Sequence, residues 1–170
     1  TCPRGLETLL ADELTLLGCG DIQPGDGGVA AKGTMEAVYR INLHSRIASR
    51  VLMRMAHSGY KTENDIYDLT LAQSWEDWFG VHHTIRVDVT AVKSPLRSLE
   101  CTTLKIKDAI CDRFRDQFNE RPSVNTKTPD MRIVGFLDAH TFTVYLDTSG
   151  EALFKRGWRE ETGDAPLREN

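Results

Sequence analysis

Two apolar stretches joined by a short polar connection constrain the fold of this 170-residue chain more than any other feature. Residues 131–137 (MRIVGFL) and 141–147 (TFTVYLD) flank Asp138-Ala139-His140, and this pattern predicts a β-hairpin. Apolar residues fall on both faces of the first strand, which is typical of a central strand covered on both sides. The hairpin is therefore expected to lie inside a larger sheet.

The segment that follows the hairpin combines cations with an aromatic side chain. Residues 147–150 (DTSG) form a turn cluster, and residues 153–159 (LFKRGWR) then place Lys155, Arg156 and Arg159 around Trp158. Cations beside an exposed aromatic suit the phosphates and bases of a nucleic acid. The alternative is that Trp158 packs at the edge of the sheet and that the cations form a solvated rim paired with nearby glutamates.

Composition places the chain among ordinary globular proteins, with 40% hydrophobic and 27% charged residues. It has no apolar run long enough to span a bilayer and no signal-peptide pattern. The four cysteines show neither a CxxC pair nor a zinc-type spacing, so free thiols in a reducing cytosol are expected, with no metal site. These features predict a cytoplasmic protein of one substantial domain or two small ones.

Positive charge is concentrated in two stretches of an otherwise acidic chain. The net charge is −4, yet residues 31–60 carry five Lys or Arg against one acid, and residues 86–115 carry seven against four. The distribution of charge matters more than its sum for binding a polyanion. A basic face on an acidic protein is therefore compatible with this sequence.

The first 60 residues predict two helices, a hairpin and a strand. Leucines at spacings of three and four indicate a helix over residues 3–17, and the glycines at 25–28 indicate a hairpin turn. Thr34 is positioned to cap a second helix, and a strand follows at 50–56. The predicted buried face of that helix consists of Met35, Val38, Tyr39 and Leu43. The order is that of a ferredoxin-like (β)αββαβ unit whose first strand is expected before residue 1.

The remaining residues predict a second unit that begins at a polar break over 61–64. A short helix precedes the aromatic cluster of Trp75, Trp78 and Phe79, which is expected to anchor the core. Residues 84–90 alternate as a strand, and a helix is predicted from residue 102 or 103 to about 119. Its apolar stripe is Ile106, Ile110, Phe114 and Phe118.

The sequence resembles a known family at several places. The order LDTSG followed by KRGWR, with Asp130-x-Arg132 ahead of the hairpin, resembles the end of the THUMP domain of RNA-modifying enzymes. The spacing from Arg97 to Lys105-x-Lys107 also resembles that domain, although Ser98-Leu99 stands where many relatives have Asn-Ser or Asn-Thr. The opening RGLExLL and the closing residues 165–170 are similar to bacterial 23S ribosomal RNA guanine-N2 methyltransferases.

This resemblance implies a mixed α/β (α+β) fold: a ferredoxin-like subdomain over 1–60, a THUMP RNA-binding domain over 61–160, and a linker over 161–170 toward a methyltransferase domain. It implies a ribosomal RNA partner, a monomer, and S-adenosylmethionine as the cofactor of the missing catalytic domain. The expected RNA-binding residues are Lys93, Arg97, Lys105, Lys107, Arg132, Lys155, Arg156, Trp158 and Arg159.

No catalytic motif is present in the chain itself. A glycine-rich S-adenosylmethionine loop, an Asn-Pro-Pro-Tyr signature and a phosphate-binding P-loop are all absent from the sequence. We therefore expect no catalytic residue and no bound cofactor here. Two alternatives stay open: the THUMP region of a transfer-RNA methylating or 4-thiouridine-forming enzyme, and a small ferredoxin-like hydrolase.

Overall fold

The computed structural model describes residues 1–155, which fall into two compact units. The first unit comprises residues 1–52 and the described residues from 148 onward, and the second comprises residues 53–147. Their helices and strands are, in chain order, α1 Glu7–Leu16, β1 Gly20–Gly25, β2 Gly28–Lys32, α2 Met35–His44, β3 Leu52–Gly59, α3 Glu63–Leu71, a 3-10 turn Trp75–Asp77, β4 Ile85–Ala91, α4 Leu99–Phe118, β5 Met131–Leu137 and β6 Thr141–Asp147.

The first unit packs α1 and α2 with the β1–β2 hairpin, which confirms the hairpin predicted there. Leu10 and Leu14 from α1 meet Ile41 from α2 in a small apolar core. The chain returns to this unit after the second one: the Leu153 side chain joins the same core, and its backbone N–H donates to the Ser49 carbonyl at 2.9 Å. The first unit is thus built from two separate parts of the sequence.

The buried face of α2 differs from the predicted one. Thr34 does cap the helix, since its Oγ1 accepts from the Ala37 N–H at 3.4 Å. The buried residues, however, are Ala37 and Ile41, while Tyr39 is 68% exposed. Ala37 packs closely against the residue before the helix cap, Gly33. A Cβ added at Gly33 would lie only 2.9 Å from the Ala37 Cβ, so this side of the helix requires small residues. The larger apolar stripe on the opposite side, Met35, Tyr39 and Leu43, is exposed.

A four-stranded sheet with the order β3-β6-β5-β4 forms the second unit. β5 pairs antiparallel with β6 and parallel with β4. The predicted β5–β6 hairpin is confirmed. The strand near 50–56 is also present, but it pairs inside this sheet, so the prediction that it completes the ferredoxin-like unit is wrong. Alternation of apolar residues indicates that a strand exists and does not indicate its partner.

Helices α3 and α4 cover one face of the sheet. Ile106, Ile110 and Phe114 of α4 are fully or almost fully buried, as predicted, whereas Phe118 lies exposed near the end of the helix. Gly135 of β5 allows this close approach, because an added Cβ would lie 2.9 Å from the Ile106 Cδ1. The core on this face also includes Ile133, Leu137, Phe142, Val144 and Leu146.

Local capping explains the polar residues at both helix starts. Thr62 and Asp65 form a reciprocal capping box at α3, so the polar stretch over 61–64 is the beginning of a helix. Ser98 caps α4 by accepting from the Cys101 N–H at 3.2 Å, and α4 therefore begins at Leu99, earlier than predicted.

Trp75 is fully buried beside Phe79, which confirms these two residues as core anchors. The prediction is wrong for Trp78, which is 41% exposed. The indole N–H of Trp75 donates to the Thr70 carbonyl at 2.8 Å, so its one polar group is satisfied inside the core. None of the helices in residues 1–155 is both long and apolar enough to cross a membrane.

Candidate nucleic-acid interface

The loop that follows the carboxyl end of β4 carries two of the predicted RNA-binding cations. Lys93 and Arg97 are exposed, and within residues 1–155 neither side chain has an ion-pair or hydrogen-bond partner. Lys93 has a φ of +59°, a left-handed conformation that non-glycine residues adopt infrequently. These two side chains are therefore available to bind an anion.

Tyr60 holds this loop against the rest of the sheet. Its hydroxyl donates to the Asp138 carbonyl at 2.8 Å and lies 2.7 Å from the Ser94 Oγ. A phenol has a single proton, so the Ser94 hydroxyl donates to Tyr60 in turn. Ser94 Oγ also accepts from the Leu96 N–H at 3.2 Å. The loop is thus fixed by a chain of hydrogen bonds that ends in the β5–β6 turn.

The β5–β6 turn is fixed by the carboxylate of Asp138. This carboxylate accepts from the Thr141 hydroxyl at 2.6 Å and from the N–H groups of Thr141 and His140 at 2.6 and 2.7 Å. These donors lower the pKa of Asp138 to about 2, the Thr141 hydroxyl having the largest effect. Asp138 therefore stays ionised at every physiological pH, with its charge directed into its own turn.

Lys105, one turn and a half into α4, lies toward the start of α3. Its Nζ donates to the Asn64 Oδ1 at 3.1 Å and lies 5.6 Å from the centre of the Tyr67 ring. Asn64 lies between the two capping residues of α3, Thr62 and Asp65, where backbone N–H groups and the Thr62 hydroxyl lower the pKa of Asp65. Lys105 thus lies on the α3 side of α4, where two helix starts contribute positive partial charge.

Lys107 lies on a different side of α4 from Lys105, since two residues turn a helix by about 200°. Its Nζ pairs with Asp108 at 2.6 Å. It lines a cleft of about 350 Å³ beside the edge strand β4. The other residues that line this cleft are Arg86, Val87, Asp88, Thr103, Leu104, Val124 and Thr126.

Arg132 lies at the start of β5, at the end of the sheet away from the loop. Its Nε is 3.7 Å from Asp88, a carboxylate that the Arg86 guanidinium already binds at 2.8 Å. The Arg132 Nε is buried and has no hydrogen-bond partner among the described residues. Lys93 and Arg97 thus share the loop after β4, whereas Arg132 lies at the opposite end of the sheet.

The four remaining predicted residues follow the second unit. Lys155 is exposed and belongs to the first unit. Arg156, Trp158 and Arg159 lie outside the described residues. Sequence analysis did not identify Tyr60, Ser94 or Asn64, which position the loop and Lys105. A local signal existed for this region, since the Thr62-x-x-Asp65 spacing is that of a capping box and places a helix start at the polar break.

Comparison with known proteins agrees with this architecture. The model of the THUMP domain matches residues 60–147, which is more than half of the chain. The chain belongs to the THUMP family. The model described as the RlmL ferredoxin-like domain matches residues 1–52, so the THUMP domain of this chain follows a ferredoxin-like unit, as the sequence motifs predicted.

Relatives of this THUMP protein are similar over its whole length. It is 42% identical to the ribosomal RNA large subunit methyltransferase K/L of Aeromonas salmonicida and 39% identical to that of Syntrophotalea carbinolica, over 170 residues in each case. The chain spans only 24% of the length of these two proteins. A crystal structure described as a "predicted N6-adenine-specific DNA methylase" from Listeria monocytogenes is 28% identical, has a TM-score of 0.85, and is matched over 99% of this chain and 44% of its own.

Proposed function

We propose that this THUMP protein is the RNA-binding, substrate-positioning region of a cytoplasmic ribosomal RNA (guanine-N2) methyltransferase. The observation that carries the proposal is the similarity of all 170 residues, at 39–42% identity, to about a quarter of the length of two ribosomal RNA methyltransferases. In this proposal the chemical step belongs to another part of the full protein, and the present chain binds the RNA and presents it as a monomer.

The exposed loop cations support an RNA-binding role. Lys93 and Arg97 have no partner among the described residues, so binding a phosphate breaks no existing ion pair of theirs. Lys105 adds a third cation on the α3 side of α4. Each phosphate contact to single-stranded RNA releases counterions and steepens the dependence of log affinity on log salt by about 0.7. The three cations would together contribute a slope of about 2.

The lining of the cleft beside β4 lacks the features of a site for S-adenosylmethionine, the cofactor expected for the full enzyme. Residues that line this cleft include no glycine, whereas a dinucleotide-type cofactor loop is rich in glycine. The one carboxylate in that cleft, Asp88, is held by Arg86. We therefore assign the cofactor to the catalytic part of the full protein.

Charge reversal at the loop tests the RNA-binding role. A structured fragment of large-subunit ribosomal RNA is titrated against the wild type and a Lys93→Glu/Arg97→Glu variant at several salt concentrations. The matched control is Arg121→Glu/Lys127→Glu, which makes the same change in net charge between α4 and β5, where both cations are also exposed. We expect the loop variant to lose at least about tenfold in affinity and about 1.4 in salt slope.

The control accounts for the long-range effect of net charge on RNA binding. Equal losses of affinity in the two variants, with unchanged unfolding midpoints, would show that the loop holds no specific RNA site.

A further inference from the structure

An aromatic side chain lies exposed on the sheet face opposite α4. Phe136 of β5 is 37% exposed, although both of its sequence neighbours are buried. Gly135 faces α4, since an added Cβ would meet Ile106, and Leu137 is fully buried in the same core. Because successive side chains of a strand alternate, Phe136 points to the other face. It is not among the residues of the core that α4 covers.

A second exposed apolar residue follows from the strand register. Phe136 is paired with Thr90 on β4, and the Val92 N–H donates to the Leu137 carbonyl at 2.8 Å. The parallel ladder therefore continues through Val92, and alternation places Val92 on the same outer face as Thr90 and Phe136. Val92 is 55% exposed. Phe136 of β5 and Val92, which extends β4, thus form an apolar surface at the end of the sheet face opposite α4.

Two cations lie on the loop that begins at the Val92 end of this apolar surface. Lys93 follows Val92 directly, and its left-handed φ of +59° turns the chain at that point. Arg97 lies on the same loop, which the Tyr60 hydroxyl ties to the turn after β5. The nearest carboxylate of that turn, Asp138, is bound by three donors of its own turn and so needs no cation from the loop.

We propose that Phe136 and Val92 form a stacking platform for an unpaired RNA base whose flanking phosphates bind Lys93 and Arg97. Stacking on an aromatic ring is open to any base, since every base has a π-face, whereas a base inside a continuous duplex has no free face. The platform therefore selects RNA with unpaired nucleotides and is indifferent to their sequence. This inference rests on the proposed RNA-binding function and names the class of RNA that the loop takes.

The test compares two RNAs and three proteins. One RNA is a stem with an internal loop that contains 2-aminopurine, and the other is the same stem fully paired. The proteins are the wild type, Phe136→Leu, and the control Phe118→Leu, which changes an exposed aromatic at the far end of α4. Phe136→Leu keeps an apolar side chain and removes the π-face. We expect it to weaken binding of the looped RNA by about fivefold or more, the lower end of the loss that alanine substitution causes for one stacked base.

Three further readouts separate stacking from charge and from folding. The fully paired stem should bind wild type and Phe136→Leu equally, the salt slope should not change, and Phe136→Trp should restore both affinity and the quenching of 2-aminopurine fluorescence. Equal affinity of wild type and Phe136→Leu for the looped RNA would overturn the stacking platform while leaving the loop cations in place. Failure of the wild type to bind either RNA would instead refute the proposed function, and stacking with it.

Discussion

Replacement of Tyr60 by phenylalanine should loosen the candidate RNA-binding loop without changing the shape of the core. The ring of Tyr60 is buried, and its hydroxyl alone connects Ser94 in the loop with the carbonyl of Asp138 in the β5–β6 turn. A typical hydrogen bond stabilises a folded protein by about 0.5–1.5 kcal/mol, and an unsatisfied buried partner adds to the loss. Two bonds are removed, so we expect the free energy of unfolding to fall by about 1 to 3 kcal/mol.

Urea unfolding measures this loss as a lower midpoint with an unchanged slope. The matched control is Tyr67→Phe, which removes a hydroxyl that donates to Asp112 at 2.9 Å and leaves the loop contacts intact. Amide hydrogen exchange gives a local readout, because the Leu96 N–H donates to Ser94. The Leu96 amide hydrogen should exchange faster in Tyr60→Phe and not in Tyr67→Phe. Affinity for RNA should also fall in Tyr60→Phe only. Wild-type exchange at Leu96 in Tyr60→Phe would refute the reasoning that Tyr60 fixes the loop.

Three further outcomes follow from packing and charge. Trp75→Ala should lower the free energy of unfolding by about 3–5 kcal/mol, measured by urea, because it empties a fully buried site. Gly135→Ala should cost about 1–3 kcal/mol by overpacking β5 against α4, and a gain in thermal midpoint would contradict this. The Glu76 carboxylate accepts hydrogen bonds from the Nε–H and an Nη2–H of Arg113, and the Arg113 guanidinium lowers the pKa of Glu76. That stabilisation is fully present above pH 4.5 and is lost as the pH falls through the lowered pKa. The free energy of unfolding of Glu76→Gln should therefore be lower than that of the wild type at pH 7, and the two values should converge in acid.

The sequence predicted best what depends on neighbouring residues. The β5–β6 hairpin has the predicted bounds because its strands pair across a three-residue connection. The buried face of α2 was predicted wrongly, since apolar residues occupy two sides of that helix and only packing distinguishes them. The prediction that β3 belongs to the ferredoxin-like unit was also wrong. β3 pairs with β6, which lies more than 80 positions away in the sequence, and local patterns carry no information about such a pairing.

The candidate site shows the same division between local and long-range information. Lys93 and Arg97 were identifiable as cations in a proline-containing loop. Tyr60 was not identifiable, because its role rests on contacts 34 and 78 residues away along the chain. The exposure of Phe136 likewise depends on which face of the sheet α4 covers, and a strand that is apolar on both faces gives no sign of that.

The return of residues 148–153 to the first unit bears on the order in which the protein can fold. Leu153 completes a core begun by Leu10 and Leu14, and the Val51 carbonyl accepts from the Thr148 N–H at 3.0 Å. A ribosome delivers the N-terminus first, so these partners wait through the synthesis of about 100 residues. The second unit, by contrast, has all of its strands once residue 147 has emerged. The unit encoded first is therefore expected to be the last to close, because Leu153 joins its core only after the strands of the second unit are complete.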